Sequence, residues 1–276
     1  MSDHADMLVR PDLPGIEVLR AHFQAYRYSR HAHEHAVIGL VESGLQSYVY
    51  RGGRHVTGPK GLFFVNVGEA HTGEAGDEHG YTYRSLCLDM SVLRRLFDDH
   101  RFHELHFRDP VIYNAKLHAG LVALHEAMDT GLPTLACEQL LIDFIEALIA
   151  RNAEQNAPAR TCPSHRPAVR KVRSAIHDDP TRNHSLVELA QIAGMSPYHL
   201  AHVFTAEVGA PIAIYAEAVR MGIARHMLKS TLSIVDIALR LGYADQSHFT
   251  RRFKQHEGVT PGRYRLATCS SYAIEH

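Results

Sequence analysis

The sequence predicts an α+β protein of two domains, an N-terminal β-barrel that ends in a helical hairpin and a C-terminal domain made entirely of α-helices. Three observations favour this fold class. Short β-type runs with glycine turns fill about 16–90, helical periodicity replaces them after Asp89, and the polar segment 152–167, with three prolines, separates the two parts. At 276 residues the chain is long enough for each domain to bury its own core.

The first domain is predicted to span residues 1–151. Its β-type runs are rich in Val, Ile, Phe and Tyr, and turns such as Gly52-Gly53 separate them. Regular short strands joined by tight turns favour a small barrel or a sandwich. The runs cover 16–25, 36–42, 46–51, 61–67 and 81–88.

Helices are predicted between these strands and the linker. Ser91 can cap a short first helix, and two longer apolar-periodic segments follow it within about 113–151. Gly131-Leu132-Pro133 interrupts the two segments, which predicts an antiparallel hairpin. One face of the hairpin can cover the barrel, and the other is available to a second copy of the chain. We therefore expect a homodimer.

The second domain, predicted at 168–270, contains an internal repeat. The segment SLVELA at 185–190 recurs 48 residues later as SIVDIA at 233–238, and each copy pairs a capping serine with an acid three residues on. Gly194 and Gly242 each follow the last alanine of a copy by four residues, and a second helix follows each glycine. Two helices that cross steeply through a short turn need a small residue at the contact and one that tolerates positive φ. Each unit is therefore predicted to be a helix-turn-helix motif, with one long helix between them.

Charge and composition limit the partners of the chain. Residues 166–276 hold 14 Lys and Arg against 9 Asp and Glu, whereas residues 1–165 hold 15 against 21, so the second domain suits a polyanion. No stretch approaches the roughly 18 apolar residues of a membrane span. The four cysteines form no C-x-x-C pair and are interpreted as reduced thiols. We expect a cytoplasmic protein with no membrane partner.

The second unit of the repeat carries a dense motif. It runs Ile237-Ala-x-x-x-Gly242-Tyr-x-x-Gln246-Ser-x-Phe249-x-x-x-Phe253-Lys and ends in Gly258-Val-Thr-Pro261 and Arg265. With the first unit, it resembles the DNA-binding domain of AraC-type (AraC/XylS) transcription regulators over about a hundred residues. The resemblance implies that the second helix of each unit enters the major groove of double-stranded DNA, in successive grooves about 34 Å apart.

By position, the resemblance also implies which residues contact DNA. Glutamine can bind adenine with two hydrogen bonds, arginine can bind guanine, and further basic residues can hold the phosphates. The alternative is that some of these side chains are only solvated helix surface. The residues lie on the two second helices: Tyr198, His199, His202, Gln246, Ser247, His248, Thr250, Arg251, Arg252 and Lys254.

The first domain resembles the cupin-like sensory domain of AraC-type regulators, on His31-x-His33-x-His35 and the later Gly68-Glu69-Ala70-His71. Alternating spacing places the first three rings on one strand face, and imidazole suits Zn, Fe or Ni. The glutamate expected a few residues later in enzymatic cupins is missing, because Val37 and its neighbours occupy that region. We therefore expect no metal and no cofactor, with a metal-bound barrel as the open alternative.

A barrel of this size can hold one small ligand, so we expect a small-molecule effector there. Its polar contacts are predicted at His33, His71, Tyr83 and Arg84. Arg84 would favour an anionic effector, and its alternative role is an ion pair.

These features predict a sequence-specific DNA-binding transcription regulator that responds to an effector and is not an enzyme. The habit of the family favours an activator that recruits RNA polymerase. A cupin metalloenzyme tethered to DNA is disfavoured by the missing glutamate. An architectural DNA binder without sequence preference is disfavoured by two unlike second helices, which such a protein does not need.

Overall fold

The computed structural model describes residues 3–97, 106–153 and 166–269. The first part of the chain forms a barrel of two antiparallel sheets, one of six strands in the order β1-β2-β9-β4-β7-β10 and one of four in the order β3-β8-β5-β6. The strands are β1 His4–Val9, β2 Ile16–Phe23, β3 Tyr28–His31, β4 Ala36–Gly44, β5 Gln46–Tyr50, β6 Gly53–Thr57, β7 Gly61–Val65, β8 His71–Ala75, β9 Tyr81–Leu88 and β10 Val111–Tyr113.

Strand alternation gives the six-stranded sheet two buried faces. On β9, Tyr83 and Cys87 face the interior of the barrel, whereas Leu86 and Leu88 belong to the core on the other side of the sheet. Successive side chains point to opposite faces of a strand, so this arrangement follows from the period of two. It also places Arg84 on the face that looks away from the interior.

A helical layer covers that outer face. It consists of α1 Met90–Leu96, α2 Ala115–Asp129 and α3 Thr134–Ala153, whose apolar residues form one core with the sheet. The turn between α2 and α3 contains Gly131 at φ 69°, as the predicted hairpin requires. The cap of α1 differs from the prediction: Asp89 is the N-cap, and its carboxylate accepts the backbone N–H of Ser91.

Seven helices form the second part of the chain. They are α4 Arg166–Asp178, α5 Leu186–Ala193, α6 Pro197–Val208, α7 Ile212–Leu228, α8 Ile234–Arg240, α9 Gln246–Glu257 and α10 Pro261–Cys269. The predicted repeat is confirmed, because α5–α6 and α8–α9 are the two helix-turn-helix units. Ser185 closes a capping box with Glu188, Ser233 accepts the N–H of Asp236, and both turn glycines lie at positive φ.

The five predicted β-type runs are confirmed as β2, β4, β5, β7 and β9. The other five strands were not predicted, since they are short or carry many polar residues. Residues 154–165 of the predicted linker lie outside the described residues, and helix continues to Ala153 before them and resumes at Arg166. Among the described helices, none is both long and apolar enough to cross a membrane.

The turn glycine after α9 gives a test of how tightly the two parts of the chain pack. Gly258→Ala should destabilise the protein more than Gly194→Ala, because both residues have positive φ but only at Gly258 would a Cβ collide with another side chain, the hydroxyl of Tyr28. We expect a loss of about 1–2 kcal/mol at Gly194 from backbone strain alone. Gly258→Ala should lose about 1–3 kcal/mol more from overpacking, measured by urea unfolding. Equal losses would mean that Tyr28 does not contact this turn in solution.

Candidate functional site

The second helix of the second unit, α9, presents a polar face to solvent. Its N-cap is Asp245, whose Oδ1 accepts the N–H of His248 at 2.7 Å, while Phe249 and Phe253 anchor the opposite face in the core. Gln246, Ser247 and Arg251 are exposed, and His248 and Thr250 are half-buried. The residues with the strongest base-contacting chemistry are therefore accessible.

The second helix of the first unit, α6, is exposed in the same way. Ser196 caps it, and Leu200 and Phe204 are fully buried beneath it. The predicted contact residues Tyr198, His199 and His202 are exposed, and the rings of Tyr198 and His202 are in contact, with centroids 4.4 Å apart and planes tilted by 57°. An aromatic pair on a solvent-facing helix offers stacking surface rather than cationic charge.

Two basic residues of α9 have partners within the protein. Arg252 donates through Nε to Glu217 Oε1 on α7 at 3.1 Å, and Tyr243 donates to the same oxygen. Lys254 lies beside the barrel: its ammonium is 5.6 Å from the ring centroid of Tyr26, whose hydroxyl donates to the Lys254 carbonyl at 2.5 Å. Arg252 therefore braces α9 against α7, and Lys254 stands at the edge of the contact with the barrel.

The barrel and the second domain share one apolar core, which the sequence did not predict. Helices α7 and α9 lie against β3, and α10 lies against β1. Leu19 and Tyr83 from the barrel belong to the same buried cluster as Met221, Phe253 and Tyr264 from the helices. Because α9 contributes to this cluster, its position depends on the barrel.

A buried ionic network crosses this contact. Arg225 of α7 pairs with Glu17 of β2 at 2.8 Å and lies 3.9 Å from Glu257 at the end of α9. Tyr264 donates to Glu17 at 2.7 Å, and Arg225 also donates to Nδ1 of His35. Burial alone would raise the pKa of Glu257, but the Arg225 charge and the hydrogen bond from His256 outweigh it and hold that pKa at about 2.

A cavity of about 60 Å³ lies inside the barrel, against the end of α9. Of the predicted effector contacts, His33, His71 and Tyr83 line it. Arg84 lies on the opposite face and donates to Glu42 at 2.6 Å, which is the ion pair that the sequence left as its alternative role. His256 and Glu257 of α9 complete the cavity wall, so residues from both domains enclose it.

The histidines around the cavity are buried and close together. His31 ends β3 and pairs in register with His71 at the start of β8, whereas His33 and His35 follow β3 instead of lying on it as predicted. Burial lowers the pKa of His31 and His33 well below the usual range and that of His71 to about 4. The three rings are therefore neutral imidazoles at neutral pH.

Sequence reasoning missed the residues that join the domains. Glu17 carried the one visible signal, since an acid inside an apolar β-type run must find a partner if it is buried. Arg225 and His256 carried none, because no neighbour in the sequence shows that either side chain is buried against the barrel.

Models of known protein families match both halves of the chain. A model of a helix-turn-helix domain matches residues 189–267, and a model of an AraC-like ligand binding domain matches residues 13–145. The HTH-type transcriptional regulator YbfI of Bacillus subtilis is 27% identical over 82% of this chain and 86% of its own length. The HTH-type transcriptional activator AarP of Providencia stuartii is 37% identical over 33% of this chain and 69% of its own length.

Among solved structures, ToxT from Vibrio cholerae aligns with 97% of this chain and 98% of its own, with a TM-score of 0.58 at 13% identity. That likeness shows the two-domain fold. Other structures of ToxT hold (E)-4-(8-methylnaphthalen-1-yl)but-3-enoic acid or an unsaturated fatty acid.

The ionic network gives a second test. Arg225→Met should destabilise the protein by roughly 3–5 kcal/mol, because it leaves Glu17 and Glu257 buried without their main counter-charge. The matched control is Arg20→Met. The Arg20 side chain is 59% exposed and lies 3.2 Å from Glu42, so its removal should lower the free energy of unfolding by less than about 1 kcal/mol. Adding Glu17→Gln to Arg225→Met should restore part of the loss. Similar urea unfolding of the two single variants would show that the network is not buried in solution.

Proposed function

Since the chain belongs to the AraC-type family of helix-turn-helix transcription regulators, we propose that α6 and α9 contact the bases of a specific operator. An AraC-like ligand binding domain precedes the DNA-binding domain. In this proposal a small effector in the barrel controls the two helices. The observation that supports this most directly is the division of α9. Gln246, Ser247 and Arg251 face solvent, while His256 and Glu257 line the cavity.

In this proposal the two second helices have different roles at DNA. Arg251 and Gln246 of α9 make base contacts, because a guanidinium can bind guanine and a glutamine amide can bind adenine, each with two hydrogen bonds. Ser247, His248 and Thr250 add shorter polar contacts, and Arg252 and Lys254 hold phosphates. The α6 residues Tyr198, His199 and His202 position the protein on the neighbouring groove.

The effector site is the cavity between the barrel and α9. His33, His71 and Tyr83 supply its polar contacts, and Arg84 has no part because it lies on the other face of the sheet. ToxT holds carboxylic acids, which supports a small-molecule effector in this fold. Sites for drug-sized ligands have volumes of roughly 300–1,000 Å³, so a cavity of about 60 Å³ favours a much smaller effector here.

Control of DNA binding follows from the shared wall of the cavity. An effector changes an equilibrium only if it binds two arrangements with different affinity. A ligand that touches His256 and Glu257 meets this condition, because both residues leave the cavity when α9 moves away from the barrel. The effector therefore acts on the position of α9.

We extend the proposal to the assembly and setting of the protein. Residues 1–151 form the effector-binding and dimerisation domain, 152–167 the linker and 168–270 the DNA-binding domain. The outer face of α2 and α3 serves a homodimer, supported by Leu135, which is 76% exposed there. The protein acts in the cytoplasm as an activator that recruits RNA polymerase, and it catalyses no reaction.

Arg251→Ala tests the proposed base contacts. We expect it to weaken binding to the DNA upstream of its own gene by about 1–3 kcal/mol, roughly 5- to 150-fold, and to relax the preference at one base pair. Arg27→Ala is the matched control, since Arg27 is an exposed arginine of the barrel and should leave affinity unchanged. Affinities are measured by fluorescence anisotropy at fixed salt, because phosphate contacts make them salt-dependent. Parental affinity and base preference in Arg251→Ala would exclude α9 from base recognition in this orientation.

A further inference from the structure

Four histidines around the cavity come from both domains. His31, His33 and His71 belong to the barrel, and His256 belongs to α9. All four are buried, with 4% to 8% of their surface exposed. The nitrogen atoms of buried imidazoles normally bind a hydrogen-bond partner, a metal ion or a ligand, because burying an unpaired polar atom costs free energy.

Hydrogen bonds fix which nitrogen of three rings carries the proton. Nδ1 of His31 faces the Ser29 carbonyl at 2.6 Å, and Nδ1 of His71 faces the Glu69 carbonyl at 3.3 Å. Nδ1 of His256 faces the carboxylate of Glu257 at 2.9 Å. Because carbonyl and carboxylate oxygens only accept, Nδ1 donates in each case, and in a neutral ring Nε2 then keeps a lone pair.

Two nitrogens of the cluster are buried without a partner. Within the described part of the chain, Nε2 of His256 and Nδ1 of His33 are fully buried and have no hydrogen-bond partner. Several acceptors that face one small space are stabilised together by a cation. An imidazole whose far nitrogen donates to a carbonyl or carboxylate is also the arrangement that metal-bound histidines adopt.

The distances suit one metal ion. Each of His31, His33 and His71 offers a nitrogen within 4.8 Å of the other two. Nitrogens bound to one zinc ion at about 2.1 Å lie no more than about 4.2 Å apart, so side-chain shifts of less than about 1 Å bring them into place. The ring of His256 lies 4.8 Å from that of His33 and 5.2 Å from that of His31, centroid to centroid.

A second candidate group, formed by His33, His35 and Glu257, is less suitable. His35 accepts a hydrogen bond from Arg225 at Nδ1, and arginine is always a donor, so the inward Nε2 of His35 carries the proton. The carboxylate of Glu257 is already held by His256 and Arg225. His35 therefore offers no free lone pair, and a metal bound to Glu257 would compete with the contacts of that carboxylate to His256 and Arg225.

We propose that the chain binds one zinc-class divalent metal ion through His31, His33 and His71 of the barrel, with His256 of α9 as the ligand from the DNA-binding domain. Four imidazole ligands select such an ion over Mg²⁺ or Ca²⁺, which prefer oxygen ligands. Val37 lines the cavity with an apolar side chain that cannot bind a metal, so the fourth ligand comes from His256.

The surroundings supply what a buried dication needs. Glu257 accepts from Nδ1 of His256, so its carboxylate forms the carboxylate–histidine–metal series that orients such ligands and offsets the charge. A cavity of about 60 Å³ has room for an ion and its remaining water. Since one ligand lies on α9, the metal stabilises the arrangement in which α9 packs on the barrel.

This inference deepens the proposed function, because it names a metal ion as the occupant of the proposed effector site. Metal binding is measured on the full chain without DNA. A chain that binds zinc but no operator would contradict the regulatory proposal alone, and a chain that binds its operator but no zinc would contradict the metal site alone.

The experiment is a zinc titration of the full chain after chelator treatment, with bound metal determined by equilibrium dialysis and elemental analysis. We expect one Zn²⁺ per chain that survives gel filtration, and a rise of Tm of at least about 5 °C with excess Zn²⁺. His71→Gln should weaken binding at least about 100-fold. His256→Gln should weaken it at least about tenfold and reduce the Tm shift.

His125→Gln is the matched control, since His125 is a buried histidine of α2 whose Nε2 also lacks a partner among the described residues, but it lies outside the cluster. It should bind zinc like the parent. Loss of zinc on gel filtration by the parent would overturn the proposal, as would parental affinity in His71→Gln or His256→Gln. Should a variant fail to fold, X-ray absorption of the zinc-loaded parent decides: histidine ligands without sulfur support the site, and a sulfur ligand overturns it.

Discussion

The guanidinium of Arg225 is the charge on which the relation of the two domains depends. The Arg225 side chain is only 16% exposed, and its guanidinium lies 2.8 Å from Glu17 and 3.9 Å from Glu257. Buried charges require partners, because the cost of removing them from water otherwise exceeds the packing gained. The arrangement of barrel and helices seen here gives Arg225 a carboxylate from each domain.

Such a network determines geometry more than total stability. Replacing a buried ion pair by apolar residues is often neutral, so the shared apolar core around Tyr83, Phe253 and Tyr264 is the main source of cohesion. The network instead penalises other arrangements. If α7 rotated against the barrel, Glu17 and Arg225 would be separated while still partly buried. The contact therefore favours one docked position of α7 and α9.

The sequence predicted what local chemistry determines. Ser185, Ser233, Gly194 and Gly242 mark helix starts and turns through contacts with residues three or four positions away, so a single sequence contains the whole signal. The apolar strands were found for the same reason. Strands β6 and β8, with the sequences GRHVT and HTGEA, carry no such pattern, because their neighbours in the sheet decide that they pair.

The exposed side of α9 was predictable from the sequence, and its buried side was not. Residues Gln246 and Arg251 follow from the motif and the helical period, whereas the hydrogen bond between Arg225 and His35 joins positions 190 apart. A lone sequence has no local feature that pairs them. The histidine cluster shows the same limit: His31 and His33 are neighbours in the sequence, but His256 lies more than 200 positions away and no local feature assigns it to the cavity.

Under the proposed function, the two faces of α9 explain how a ligand in so small a cavity changes the affinity for DNA. A helix of 12 residues that keeps Gln246 and Arg251 in solvent and places His256 and Glu257 against the barrel cannot move at one face without moving at the other. Helices are stiff on this length scale, so a shift of the cavity wall displaces the exposed side chains by a similar amount. Base contacts require hydrogen-bond geometry within a few tenths of an ångström, and a displacement of that size is enough to change affinity. Under the proposed function, coupling between barrel and operator therefore needs no pathway through the protein, because α9 lines the cavity and carries the proposed base contacts.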